Sequence, residues 1–178
     1  MFRLLSFALV FIASVAVAQD STRPAEAEPP MTMERLALIV QALDPDVIAR
    51  GSSLEFTLDD IPVVIIADPR ADRMRAMVPI ASAEGLRPED LMRMMQANFD
   101  AALDARYAVA QGRLWGVFIH PLSPLEKDQL ISGLVQTVTV ARTYGTEYTG
   151  GAVIFGGGDS NGIHRRLLEE LQKKGEEL

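Results

Sequence analysis

The residues best suited to chemistry lie late in the chain, where Val153-Ile154-Phe155 runs into Gly156-Gly157-Gly158-Asp159-Ser160-Asn161-Gly162 ahead of a helical pattern. A strand, a glycine loop and a helix in that order can cradle phosphate on backbone N–H groups and the helix N-terminus. A phosphate loop also requires Lys and then Ser or Thr after its last glycine, but Gly162 is followed by Ile163-His164. A dinucleotide fingerprint opens a parallel strand-helix-strand unit, and no strand pattern follows this loop. The segment therefore reads as a hinge, and no cofactor is expected.

His120 and His164 are the two histidines, and cysteine is absent. Neither histidine has a Cys or a nearby His to complete a zinc site, and there is no thiol nucleophile. No catalytic, cofactor-binding or metal-binding residues are assigned. Asp59, Asp60 and Asp68 keep one alternative open, a periplasmic small-ligand binder or enzyme whose pocket is assembled from residues distant in sequence. Arg70, Arg73 and Arg75 form the densest basic cluster of the domain. With Asp68 and Asp72 beside them they read as a solvated strand face, with an anionic partner as the alternative.

The compartment is written at the other end. Arg3 gives a positive start, residues 4–15 are almost wholly apolar, and Ala16-Val17-Ala18 places small residues where a signal peptidase cuts. Residues 1–18 are thus read as a signal peptide cleaved near Ala18. The protein is expected in the periplasm or secreted, with no stable membrane anchor after cleavage, since a spanning helix needs about 20 apolar residues. Losing Arg3 leaves 16 basic against 24 acidic side chains, a net charge of -8. That balance disfavours nucleic acid and anionic lipid as partners.

Residues 19–31 are rich in Ala, Glu and Pro without hydrophobic period and form a linker. Residues 32–155 form the domain, and residues 156–178 a glycine-rich hinge with a C-terminal helix. Within the domain, Thr32 caps a helix with Met33, Leu36, Ile39, Val40 and Leu43 on one face. Leu54, Phe56 and Leu58 alternate with polar residues as one strand, and residues 61–67 are an apolar second. A third covers residues 73–80, with Arg73 and Arg75 outward. Pro88 opens a helix whose stripe is Leu91, Met94, Met95, Phe99 and Leu103. Of the clustered Met92, Met94 and Met95, the latter two are expected to fill core. Strands over residues 106–110 and 113–119 flank a tight Gln111-Gly112 turn. A helix carrying Leu130, Ile131, Leu134, Val135 and Val138 follows. The fold class is α+β, a five-stranded antiparallel sheet with packed helices in the order α-β-β-β-α-β-β-α, plus a C-terminal amphipathic helix.

That order, the segment Leu103-Asp104-Ala105-Arg106-Tyr107-Ala108-Val109, and Gly112-Arg113-Leu114-Trp115 followed by His120-Pro121-Leu122-Ser123-Pro124-Leu125 resemble the YbjN-like family, whose fold is similar to the type III secretion chaperones. The resemblance implies helices packed on an antiparallel sheet, frequent dimerisation, and binding of other proteins rather than chemistry. It carries over no functional residues.

Two surfaces are candidates for a partner, either a second copy in a homodimer or an unidentified envelope protein. Trp115, Val117 and Ile119 lie on one face of the last strand and Leu114 and Phe118 on the other, so both faces are apolar, which reads as a strand buried on both sides within one domain, with one face as an exposed dimer or ligand surface as the alternative. In the C-terminal helix, Ile163, Leu167, Leu168 and Leu171 form a narrow stripe that packs on its own domain or docks elsewhere. Leu114, Trp115, Phe118, Ile163, Leu167 and Leu171 are the named surface candidates, and the sequence reads as an exported, non-enzymatic protein-binding or chaperone-like module.

Overall fold

The computed structural model describes residues 28–100, 103–145 and 159–175, with side chains in the last stretch from residue 165 onward. The signal peptide, most of the linker and the Val153-Ile154-Phe155 segment with its glycines up to Gly158 lie outside the described residues. Helix α1 (Met33–Leu43) starts at Thr32, whose Oγ1 accepts the Arg35 N–H at 3.2 Å. Six strands follow in antiparallel pairs: β1 (Ile48–Arg50), β2 (Ser53–Leu58), β3 (Ile61–Asp68), β4 (Arg73–Ser82), β5 (Arg106–Ala110) and β6 (Arg113–Pro121). Helix α2 (Pro88–Asp100) falls between β4 and β5, and α3 (Lys127–Arg142) and α4 (Asp159–Gly175) close the chain. None of the described helices is long and apolar enough to cross a membrane.

The fold class is α+β with an antiparallel sheet, and the sheet has six strands, ordered β1-β2-β3-β4-β6-β5, where the sequence suggests five. The extra strand is β1, three exposed residues paired to β2. It is too short for a period-two pattern to register, and being exposed throughout it has no buried face to impose one. The Asp59-Asp60 and Gln111-Gly112 turns both carry positive φ at each residue, as two-residue hairpins with right-handed strand twist require.

Alternation divides the sheet cleanly. Leu54, Phe56, Val63, Ile65, Met74, Ala76, Val78, Leu114 and Phe118 are buried under the helices. Helix α3 packs tightly where the facing strand carries no side chain: a Cβ on Gly116 would lie 3.1 Å from the Thr137 carbonyl. Helix α4 joins this core, with Leu167 and Leu171 buried in the same cluster as α1 and α3 residues and Gly175 O accepting from Lys127 Nζ at 2.9 Å.

A smaller cluster of Met94, Ala105, Tyr107, Leu114 and Val140 ties β5 and α2 to α3. The Tyr107 hydroxyl donates to Val140 O at 2.9 Å, and Gln136 Oε1 accepts the N–H groups of Asp104 and Ala105 at 2.8 and 3.1 Å. The expected α2 stripe is corrected here. Met94 alone of its apolar residues is buried, because α2 lies beside the edge strand β5 instead of over the sheet. Met95, expected in the core, is exposed.

Candidate partner-binding surfaces

Residues pointing away from the helices form the open face of the sheet, and strand register places them in rows. One row runs across all six strands as Ile48, Glu55, Val64, Met77, Val117 and Arg106. A neighbouring row sets Arg75 between Ile66 and Ile119, and a third joins Pro79, Trp115 and Ala108. Ile66 and Ile119 are 43% and 57% exposed, and Val64, Met77, Pro79, Trp115 and Val117 are half-buried. No described element covers this apolar patch.

Its charges are disposed unevenly. Arg50 pairs with Glu55 at 3.6 Å, and the Arg113 guanidinium lies 5.8 Å from the centre of the Trp115 ring. Asp68 Oδ1 accepts the Arg70 and Ala71 N–H groups at 3.0 and 3.2 Å, which commits that carboxylate to its own turn. Arg75 makes no ion pair among the described residues. Trp115 is fixed by its indole N–H, which donates to Ala110 O at 3.1 Å.

The second surface is the outer side of α2. Phe99 is 81% exposed, Met92 70% and Met95 53%, and Leu91 and, past the helix end, Leu103 are exposed as well. Leu91, Met95 and Phe99 are four residues apart and so share one helix face. Leu103 follows the helix at φ 53°, a left-handed conformation unfavourable to a branched side chain.

The surface candidates read from sequence separate into distinct groups. Leu114 and Phe118 are taken up by the chain's own core under α3, as are Leu167 and Leu171 on α4, while Trp115 lies on the open face. The Ile163 side chain lies outside the described residues. The α2 surface was missed because a 3.6-residue apolar period reports an amphipathic helix without saying whether its stripe meets core or solvent. Phe99 and Met95 have identical signatures in either case.

No catalytic grouping emerges from the acidic candidates. Asp59 and Asp60 form the β2–β3 turn and Asp68 ends β3, so the length of an eight-residue strand, roughly 25 Å, separates them. Asp59 is ion-paired to Arg142 at 2.5 Å. His120 stacks on Phe118 with ring centres 5.9 Å apart, and its Nδ1 lies 2.8 Å from Pro121 O. No cluster of metal-ligating side chains occurs among the described residues. The expectation that no Ser stands in a Gly-x-Ser-x-Gly pattern is corrected by the sequence itself, since Gly158-Asp159-Ser160-Asn161-Gly162 has that spacing of a hydrolase nucleophile elbow. Such an elbow needs a strand of the central sheet running into it; Ser160 lies in the first turn of α4, and the residues directly ahead of that helix lie outside the described residues.

No family model matches the chain, and no curated protein matches it. A chain from the structure of the HopA1-SchA chaperone-effector complex is similar to it with a TM-score of 0.47 and 12% identity, over 65% of this chain and 98% of that one. A similarity this loose transfers neither partner nor activity.

Proposed function

We propose that this chain is an exported protein-binding module of chaperone-like type, without enzymatic activity, that works as a homodimer in the periplasm. The observation that carries the reading is the α2 surface, where Phe99, Met92, Met95, Leu91 and Leu103 present large apolar side chains to water on one side of the domain. A monomer rarely leaves such a patch wet, and a flat helix face suits isologous contact with the same helix of a second copy. The open sheet face remains available in that arrangement for a different protein. The leader pattern of residues 1–18 supports export, and the resemblance to the YbjN-like family agrees with protein binding.

Light scattering on the mature protein starting at Gln19 tests the assembly. The expected mass is that of two chains, falling to one chain in a Met95→Glu, Phe99→Glu variant with unchanged circular dichroism. A single-chain mass for the unaltered protein at high concentration rejects the dimer. Amino-terminal sequencing from an envelope extract tests export, with Gln19 expected as the first residue and an intact Met1 in the cytosolic fraction rejecting it.

A further inference from the structure

The open sheet face combines an apolar patch with a cation in its middle that has no ion-pair partner among the described residues. Arg75 is flanked in register by Ile66 on β3 and Ile119 on β6, both exposed, while Arg73 lies one row away opposite Asp68 and Pro121. Arg106 and Arg113 stand at the β5 side of the same face. Its two carboxylates are engaged, Glu55 with Arg50 and Asp68 with its own turn. A chain of net charge -7 therefore turns a locally positive, apolar surface outward at this one face of its sheet.

We propose that this face binds an amphipathic helical segment of another protein, one whose apolar stripe is bordered by Asp and Glu. The inference rests on the reading of the chain as a protein-binding module and names the chemistry of its partner. The patch extends over β3, β4, β6 and β5, on the order of 15 Å across at strand spacing, which matches the 10–12 Å width of a helix with side chains. Apolar side chains of the segment would cover Met77, Val117 and Trp115, and a carboxylate would reach Arg75 between the two isoleucines. Arginine accepts a carboxylate in a bidentate, directional manner, so the pairing fixes orientation as well as charge. A bilayer or a nucleic acid would present its negative charge to the whole acidic molecule and be repelled, whereas a short segment meets the basic patch alone.

Trp115 is the single tryptophan of the chain and lies within the patch, so its emission reports occupancy there and is silent to contacts at α2. The mature protein is titrated with a synthetic helical peptide carrying a Leu and Phe stripe bordered by Glu, with the same peptide bearing Lys for Glu, and with one bearing Ser for the stripe. The expected result is a saturable blue shift with the first peptide and at least tenfold weaker binding of the other two. Binding of the first peptide falls at least tenfold in Arg73→Gln, Arg75→Gln and, separately, in Ile119→Ser, with circular dichroism unchanged, and weakens as salt is raised.

No saturable shift with the acidic peptide, equal binding of the Lys peptide, or indifference to the arginine variant each overturns the proposal. So does a shift produced by vesicles of phosphatidylglycerol and phosphatidylcholine but not by peptide. Chain mass is measured on every sample. A dimer that survives in Ile119→Ser but not in Met95→Glu, Phe99→Glu leaves the proposed assembly intact even where the peptide fails. Conversion of Ile119→Ser to a monomer marks the open face as a subunit contact and overturns the inference.

Discussion

A Cβ built on Gly133 of α3 would lie 2.6 Å from two ring carbons of Phe118 and 2.8 Å from a third. The missing side chain lets α3 sit directly on the aromatic ring of β6. Gly133→Ala gains about 1 kcal/mol of helix propensity, but the buried ring must shift to admit the methyl group, and overpacking of this kind costs about 1–3 kcal/mol. Net destabilisation of about 1 kcal/mol is expected in urea denaturation. Pairing it with Phe118→Leu should recover part of the loss, and a stable single variant would show that the ring has room to move.

How far the sequence reaches is shown by this same contact. Alternation identified Leu114 and Phe118 as opposite in facing to Trp115, Val117 and Ile119, and the sheet is built that way. Which of the two faces the helices take depends on where α3 returns, and it packs on β6 at Gly116 and Gly133, positions that carry no hydrophobic signal. The amphipathic pattern of α4 likewise announced a stripe without its target, which proves to be α1 and α3 for Leu167 and Leu171. For α2 the pattern was legible but its burial was not, since its placement beside β5 follows from pairing of distant elements.

Gln136 is a buried polar residue in α3 that serves as a clamp for the start of β5. Its carbonyl accepts two backbone N–H groups, those of Asp104 and Ala105, and its amide donates to Ser132 Oγ at 3.2 Å. Replacing it with Met fills the space yet leaves two backbone donors unpaired, each costing about 1–3 kcal/mol when buried. Gln136→Met should lower stability by about 2 kcal/mol in denaturant titration and speed amide exchange at Ala105. Unaltered exchange there would show that water replaces the amide oxygen.

Asp72 fastens the β3–β4 turn to the segment ahead of α3. Its carboxylate accepts the Ser123 N–H at 2.6 Å and the Ser123 hydroxyl at 3.0 Å, and these bonds, with Arg73 nearby, hold its pKa below the usual aspartate value. A carboxyl whose folded pKa is depressed stabilises above its unfolded pKa, and the contribution is lost as pH falls toward the folded value. Asp72→Asn preserves the preference for its positive φ and removes the charge. Melting temperatures of the two proteins should differ at pH 7 and converge below about pH 4. A gap that persists unchanged at pH 3 would assign the effect to hydrogen-bond geometry instead of ionisation.

Leu103 carries two penalties at once, a left-handed backbone at φ 53° and an exposed apolar side chain. The conformation costs a non-glycine residue about 1–2 kcal/mol, and glycine would relieve it with partial offset from its greater unfolded freedom. Leu103→Gly should therefore raise monomer stability by about 0.5–1 kcal/mol, read at low concentration where association contributes nothing. If the α2 surface is the dimer contact, the same change should weaken association several-fold in sedimentation equilibrium. Stability and assembly would then move in opposite directions from one substitution, which a purely structural leucine would not produce. A variant with association unchanged would remove Leu103 from the contact and leave Phe99, Met95 and Leu91 as its centre.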